Sequence, residues 1–142
     1  MLFRSVLTTW LLDLAAARQL NLKPTGHASR GVSGPPSPTT SNFYLDKGKL
    51  SVAELIGDIK SGLYITDMIG FGVNGVTGDY SRGAAGFMIR NGMLAEAVSE
   101  ITIAGNLKDM FMGIEAIGAD TYNMGAKTTG SILVNRMKVA GS

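Results

Sequence analysis

The chain has 142 residues, of which 19 are glycine, 45% are hydrophobic and 17% are charged. A chain of this length buries roughly 70% of the surface its unfolded form exposes, so a core needs neither disulfides nor a structural metal. The absence of cysteine excludes a disulfide scaffold, a CxxC zinc site and a thiol nucleophile, and is compatible with a reducing cytoplasm. The net charge of +2 comes from scattered Lys and Arg residues, no two of them adjacent, so there is no basic stripe for a nucleic-acid backbone to follow and no nucleic-acid partner is expected.

The first residues imitate a secretory signal, with Arg4 ahead of an apolar run and the small residues Ala15, Ala16 and Ala17. Asp13 in the middle of that run argues against it, and the run is too short and too polar to span a bilayer, so no membrane partner is expected. Leu7, Trp10, Leu11 and Leu14 recur at helical spacing and predict a core-facing helix ending near Asn21. All four prolines fall between Pro24 and Asn42 among glycines and small polar residues, and residues 24–42 are expected to form an irregular loop, a linker or a lid. His27, the only histidine, lies in this loop without the companions a metal site needs.

Asn42 to Leu45 reads as a short strand. From Leu50 to Gly62 the signature is helical: Ser51 and Glu54 form a capping box, Leu50 and Leu55 staple the entry, and Gly62 is placed to take a left-handed exit. Val52, Leu55, Ile56 and Ile59 make the apolar stripe. Leu63 to Ile69 has strand propensity. Ala84 to Arg90 and Met93 to Val98 flank Asn91-Gly92, the strongest short hairpin signal, and Ile101 and Ile103 extend the strand content. Asn106 caps a further helix, whose expected stripe runs through Leu107, Met110, Phe111, Ile114 and Ile117. Ser131 to Ala140 closes the chain as a β segment. Hairpin-joined strands interrupted by two or three helices, with no βαβ alternation, predict an α+β fold with a mainly antiparallel sheet over a single domain, 1–142.

Signals for chemistry are sparse. Gly70, Gly72 and Gly75 spell G-x-G-x-x-G after a predicted strand, but Val76 to Gly86 carries no helical stripe whose N-terminus could face a pyrophosphate. No P-loop, no H-E-x-x-H and no G-x-S-x-G is present. The densest polar cluster is Thr77 to Gly83 (TGDYSRG). There Asp79 and Arg82 are able to pair or to bind a carboxylate terminus, whereas Ser81 lacks a plausible base. A glycine-rich turn bringing backbone close to backbone is the plainer account of the same residues.

Longer stretches carry a resemblance. Gly78 to Met88 (GDYSRGAAGFM), Asn91-Gly92 and Val98 to Met110 (VSEITIAGNLKDM) are similar to the C-terminal region of the TldD/TldE (PmbA, modulator of DNA gyrase) family, in its TldE/PmbA branch. The similarity extends upstream through Trp10 to Leu22 and Pro24 to Val32, and downstream to Met137 to Ser142. Members are several hundred residues long, so this chain is expected to be a C-terminal portion, with Met1 to Ser5 outside the match. Leu94-Ala95-Glu96-Ala97 replaces the family's usual aromatic-proline pair, and Gly118-Ala119-Asp120 replaces Gly-Asn-Asp.

The resemblance implies a cytoplasmic peptidase complex in which TldD and TldE pair, degrading unfolded peptides and trimming leader segments from precursors. It places zinc in the TldD-type partner subunit, held by an H-E-x-x-x-H helix and a cysteine near the C-terminal end. In this chain the cysteine-bearing segment falls between Asp120 and Ser131, where Tyr122 to Gly130 (YNMGAKTTG) has no soft or imidazole ligand. The implied role is non-catalytic and architectural: no catalytic or metal residue and no cofactor in this chain, a TldD-type subunit or a second copy as partner, and Asp79, Tyr80 and Arg82 as candidate partner- or peptide-facing residues. Two alternatives stay open, a stand-alone domain that binds peptides by strand addition and a fragment of an active metallopeptidase.

Overall fold

The computed structural model describes residues 8–141. In chain order the elements are helix α1 (Leu14–Gln19), strands β1 (Ala28–Ser29), β2 (Ser37–Pro38) and β3 (Phe43–Tyr44), helix α2 (Val52–Gly57), strands β4 (Ser61–Ile69), β5 (Asp79–Arg90) and β6 (Met93–Asn106), helix α3 (Leu107–Met112), and strands β7 (Ile114–Ile117), β8 (Tyr122–Met124), β9 (Lys127–Thr129), β10 (Ile132–Val134) and β11 (Lys138–Ala140). Apart from a parallel β3–β9 pair, the registered strand pairs are antiparallel, and the fold is α+β as the pattern predicts. No helix among the described residues is long and apolar enough to cross a membrane. The chain divides into two compact units, one of residues 8–45 with Asn123–Thr128, the other of Asp46–Tyr122 with residues 129–141.

In the smaller unit, α1 differs from its expectation. The helix starts only at Leu14, because the Asp13 carboxylate accepts the Ala16 N–H at 2.7 Å and so acts as N-cap rather than as a mid-helix polar face. Leu12 and Ala17 are buried, while Trp10 and Leu14 of the expected stripe are exposed; Leu7 lies outside the described residues. The end falls where the sequence puts it. Asn21 adopts positive φ, Asn21 N–H donates to Arg18 O and Leu22 N–H to Ala17 O, which is a Schellman closure. Within the Pro/Gly-rich segment, β1 and β2 pair through Ala28↔Pro38 and Ser29↔Ser37.

The larger unit is built on a four-stranded sheet in the order β11-β6-β5-β4. Its axis is the β5–β6 hairpin, where Asn91 and Gly92 both take positive φ, 49° and 78°, as a tight right-twisting turn demands. Strand register places Ala84 opposite Ile101 and Arg82 opposite Ile103. Ala84, Ile101 and Ile103 form the buried cluster, with Leu63, Ile65, Tyr80, Val98 and Met137 packed around it. A register shift between Ile65 and Asp67 lets Leu63, Ile65 and Met68 pair with Met88, Gly86 and Ala84 in turn, so apolar residues on both sides of the bulge stay with the same face.

Helix α2 carries the predicted capping box, with the Ser51 N–H and Oγ donating to Glu54 Oε2, each at 2.7 Å. These hydrogen bonds hold the Glu54 carboxyl below its usual range. The helix stops at Gly57 rather than running to Gly62, and Gly62 instead lies in β4, paired with Ile89 of β5. A Cβ on Gly62 would lie 2.9 Å from Ile59 Cγ2, so glycine here lets the new strand pass beneath the helix exit. Helix α3 is capped by Asn106, whose Oδ1 accepts the Lys108 N–H at 3.1 Å. It ends at Met112 with Gly113 as C-cap. Ile114 and Ile117, expected on its stripe, belong to β7 and pair with β10, because a capping glycine followed by β-branched residues favours an extended chain. The closing segment is two strands rather than one, broken at Arg136 with φ 57°.

Candidate functional site

Gly70, Gly72 and Gly75 lie in the connection from β4 to β5, with no helix at its end. The Asn74 side chain accepts the N–H groups of Val76 and Thr77 at 2.9 and 3.2 Å. Asn74 N–H donates to Asp79 O, Gly78 N–H to Asn74 O, and Ser81 N–H to Gly72 O. A Cβ on Gly72 would overlap the Ser81 carbonyl. Gly72 therefore serves a close backbone crossing, Gly70 takes a positive φ of 84°, and no helix N-terminus follows them to face a phosphate.

Asp79, Tyr80 and Arg82 open β5, and the period of two along a strand separates them. Tyr80 and Arg82 share the face of Ala84, and Asp79 and Ser81 lie on the other. Tyr80 is half-buried against the core cluster, and its hydroxyl donates to Met68 Sδ at 3.2 Å. Arg82 Nη2 donates to Met68 O at 3.1 Å, while its Nε is shut off from solvent without a partner. Asp79 accepts from Thr77 Oγ1 at 2.7 Å, with Asn106 Nδ2 at 3.5 Å from its other oxygen. Asp79 and Arg82 are thus held apart rather than paired. Among the described residues the ion pair is Arg90–Glu96 on the exposed end of the hairpin, where donation from Arg90 pulls the Glu96 carboxyl down to about 2.

A second polar device was not legible in the sequence. Asp120 accepts the Ser131 N–H through both carboxylate oxygens, at 3.1 and 3.0 Å, and the Ser131 hydroxyl at 2.9 Å. It clamps the base of the 122–130 segment, but its two members stand eleven positions apart in no recognisable motif. Partial burial raises the Asp120 carboxyl, and the Ser131 hydrogen bonds outweigh this and hold it below its ordinary value of 3.8. A lowered folded-state pKa contributes stability that is present above the unfolded value and lost as pH falls through the folded one. Asp120→Ala is therefore expected to melt below the wild type by a constant margin from pH 7 to pH 5, a margin that narrows once the pH drops under about 3.8; thermal melts across this range check it.

Side chains able to ligate a metal are dispersed among the described residues. His27, in the smaller unit, has Nδ1 hydrogen-bonded to Thr25 Oγ1 at 2.9 Å, and that hydroxyl also takes the Leu12 N–H at 2.8 Å. Among the described residues no group of three or more His, Cys, Asp or Glu converges.

Residues 5–141 match the profile of the PmbA/TldA metallopeptidase C-terminal domain. The chain is 44% identical over 136 residues to the metalloprotease PmbA of Escherichia coli O157:H7, covering 96% of this chain and 28% of that protein. It is 39% identical to the PmbA homolog of Haemophilus influenzae, covering 96% of this chain and 29% of the relative. The chain thus spans less than a third of the length of these relatives. Among solved structures, a modulator of DNA gyrase from Thermotoga maritima superposes with a TM-score of 0.79 at 34% identity, over 95% of this chain and 31% of that one. TldE from Thermococcus kodakarensis shares the fold at a TM-score of 0.78 and 23% identity, over 91% of this chain and 30% of that one.

Proposed function

The chain belongs to the PmbA/TldA metallopeptidase family, as its C-terminal domain, and from that premise we propose that it is a non-catalytic, architectural part of a TldE/PmbA-type subunit. In this reading it pairs with a zinc-bearing TldD-type subunit or a second copy, in the cytoplasm, and walls the channel through which unfolded peptides and leader segments reach the partner's metal. The observation that carries it is the donor set: one histidine, no cysteine, and no convergent cluster of ligating side chains among the described residues. Tyr80 and Arg82 brace the β4–β5 packing through Met68, and Asp79 stands exposed across the strand.

One further observation favours the strand-addition alternative. β4 is the outermost strand of its sheet, and an uncovered edge is a template for an extended peptide. Its register shift at Ile65/Asp67 and the charge of Asp67 are the features that blunt such edges, which is why architecture is preferred.

The purified chain is expected to hold well under one zinc per molecule and to show no chelator-sensitive cleavage of a casein-like unfolded substrate. Elemental analysis giving one zinc per chain, lost on His27→Ala, would overturn the non-catalytic reading.

A further inference from the structure

We propose that Asn74 is a site of spontaneous covalent modification, at which the chain's own backbone converts the side-chain amide to aspartate and isoaspartate with water as co-reactant. The sequence holds two Asn-Gly pairs, Asn74-Gly75 and Asn91-Gly92. Glycine after asparagine leaves the next backbone nitrogen unshielded by any Cβ, so both pairs carry the same intrinsic chemistry. The fold separates them.

At the β5–β6 turn the attacking nitrogen is occupied. Gly92 N–H donates to Ile59 O and Asn91 N–H to Lys60 O, each at 2.9 Å, and a Cβ on Gly92 would overlap the Gly57 carbonyl. That turn is pressed against the exit of α2. Gly75 is the opposite case: it is exposed, an added Cβ would meet nothing within 4 Å, and its N–H donates to no group among the described residues. Hydroxide reaches that N–H, and removing its proton breaks no hydrogen bond.

The carbon to be attacked is prepared as well. Asn74 Oδ1 accepts the N–H groups of Val76 and Thr77 at 2.9 and 3.2 Å. Two such donors draw electron density from Cγ and stabilise the negative charge that the oxygen gains when this carbon becomes tetrahedral. They also turn the carboxamide toward the chain that follows, the side on which the Gly75 nitrogen lies. Asn74 N–H is tied to Asp79 O and Asn74 O to Gly78 N–H, both at 2.8 Å, so the reacting groups stay near one another. Gly75 N gives its proton to hydroxide, and its electron pair forms a bond to Asn74 Cγ. The Cγ–Nδ2 bond breaks, and Nδ2 takes a proton from water and leaves as ammonia, regenerating hydroxide. Water then opens the cyclic imide at either carbonyl, giving aspartate or isoaspartate. Either product sets a carboxylate in a stretch that has no charged residue between Asp67 and Asp79.

The test is to hold the whole folded chain for days in mildly alkaline buffer, digest it, and map it by mass spectrometry with chromatography that resolves aspartate from isoaspartate. Asn74 is expected to convert about tenfold faster than Asn91 or more, because attack at Asn91 must first give up the Gly92–Ile59 hydrogen bond. In the urea-unfolded chain the two should convert at similar rates. Gly75→Ala should slow Asn74 by about tenfold, since a Cβ beside the attacking nitrogen crowds ring closure, while leaving the melting curve in place. Isoaspartate should be among the products at position 74. An Asn74 that stays intact, or equal conversion of the two sites in the folded chain, overturns the proposal. So does aspartate at position 74 without isoaspartate, or a Gly75→Ala chain that converts as fast as the wild type.

Discussion

Gly86→Val is expected to abolish folding, with the variant recovered in the insoluble fraction or showing no cooperative urea transition. Gly86 is buried at the centre of the sheet, paired with Ile65 on one side and Val98 on the other. A Cβ there would overlap the Tyr64 carbonyl and lie 2.9 Å from Ile65 Cα. Both obstacles are backbone, so no rotamer change relieves them, and β4 would have to leave the sheet. Overpacking that moves backbone costs about 4 kcal/mol or more, against a total stability for a domain of roughly 5–15 kcal/mol. The control is Gly75→Ala, where the added methyl meets nothing within 4 Å and the change should stay within about 0.5 kcal/mol. Equal behaviour of the two variants would show that the close β4–β5 approach at Gly86 is not what the sheet depends on.

The readable parts of this fold are those set by local chemistry. Asn91-Gly92, Ser51 with Glu54, and Asn106 each determine a turn or cap within a few residues, and each lies where its pattern predicts. What the pattern misplaces depends on contacts distant in sequence. Leu14 and Trp10 match a helical stripe, yet the Thr25 hydroxyl takes the Leu12 N–H and donates to the Trp10 carbonyl, so the helix starts only at Leu14 and Leu12 and Ala17 are buried instead. Ile114 and Ile117 fit the α3 stripe equally well, and only pairing with β10 makes them a strand. The site shows the same division. Tyr80 and Arg82 are legible as a polar cluster, but their common contact with Met68 requires the β4–β5 register, and the Asp120–Ser131 clamp has no local signature at all.

Binding to a TldD-type subunit should raise the melting temperature of this chain by roughly 10 °C at a hundredfold excess over the dissociation constant. The estimate follows from mass action: a partner that binds only the folded state adds about 2.7 kcal/mol at that excess, and a domain of this size gains about 4 °C per kcal/mol. The low charge of the chain, 17% of residues, and its exposed Phe71, Val76, Phe111 and Met112 leave apolar area for such a partner to cover. Without it the chain is expected to self-associate.

The most direct measurement is a melting series of the chain against increasing concentrations of a purified TldD-type subunit, followed by sizing of the mixture. An architectural half of a pair gives a melting temperature that climbs with subunit concentration and a soluble one-to-one species. A monodisperse monomer whose melting is unchanged at saturating subunit contradicts the architectural role and promotes the stand-alone peptide-binding domain in its place.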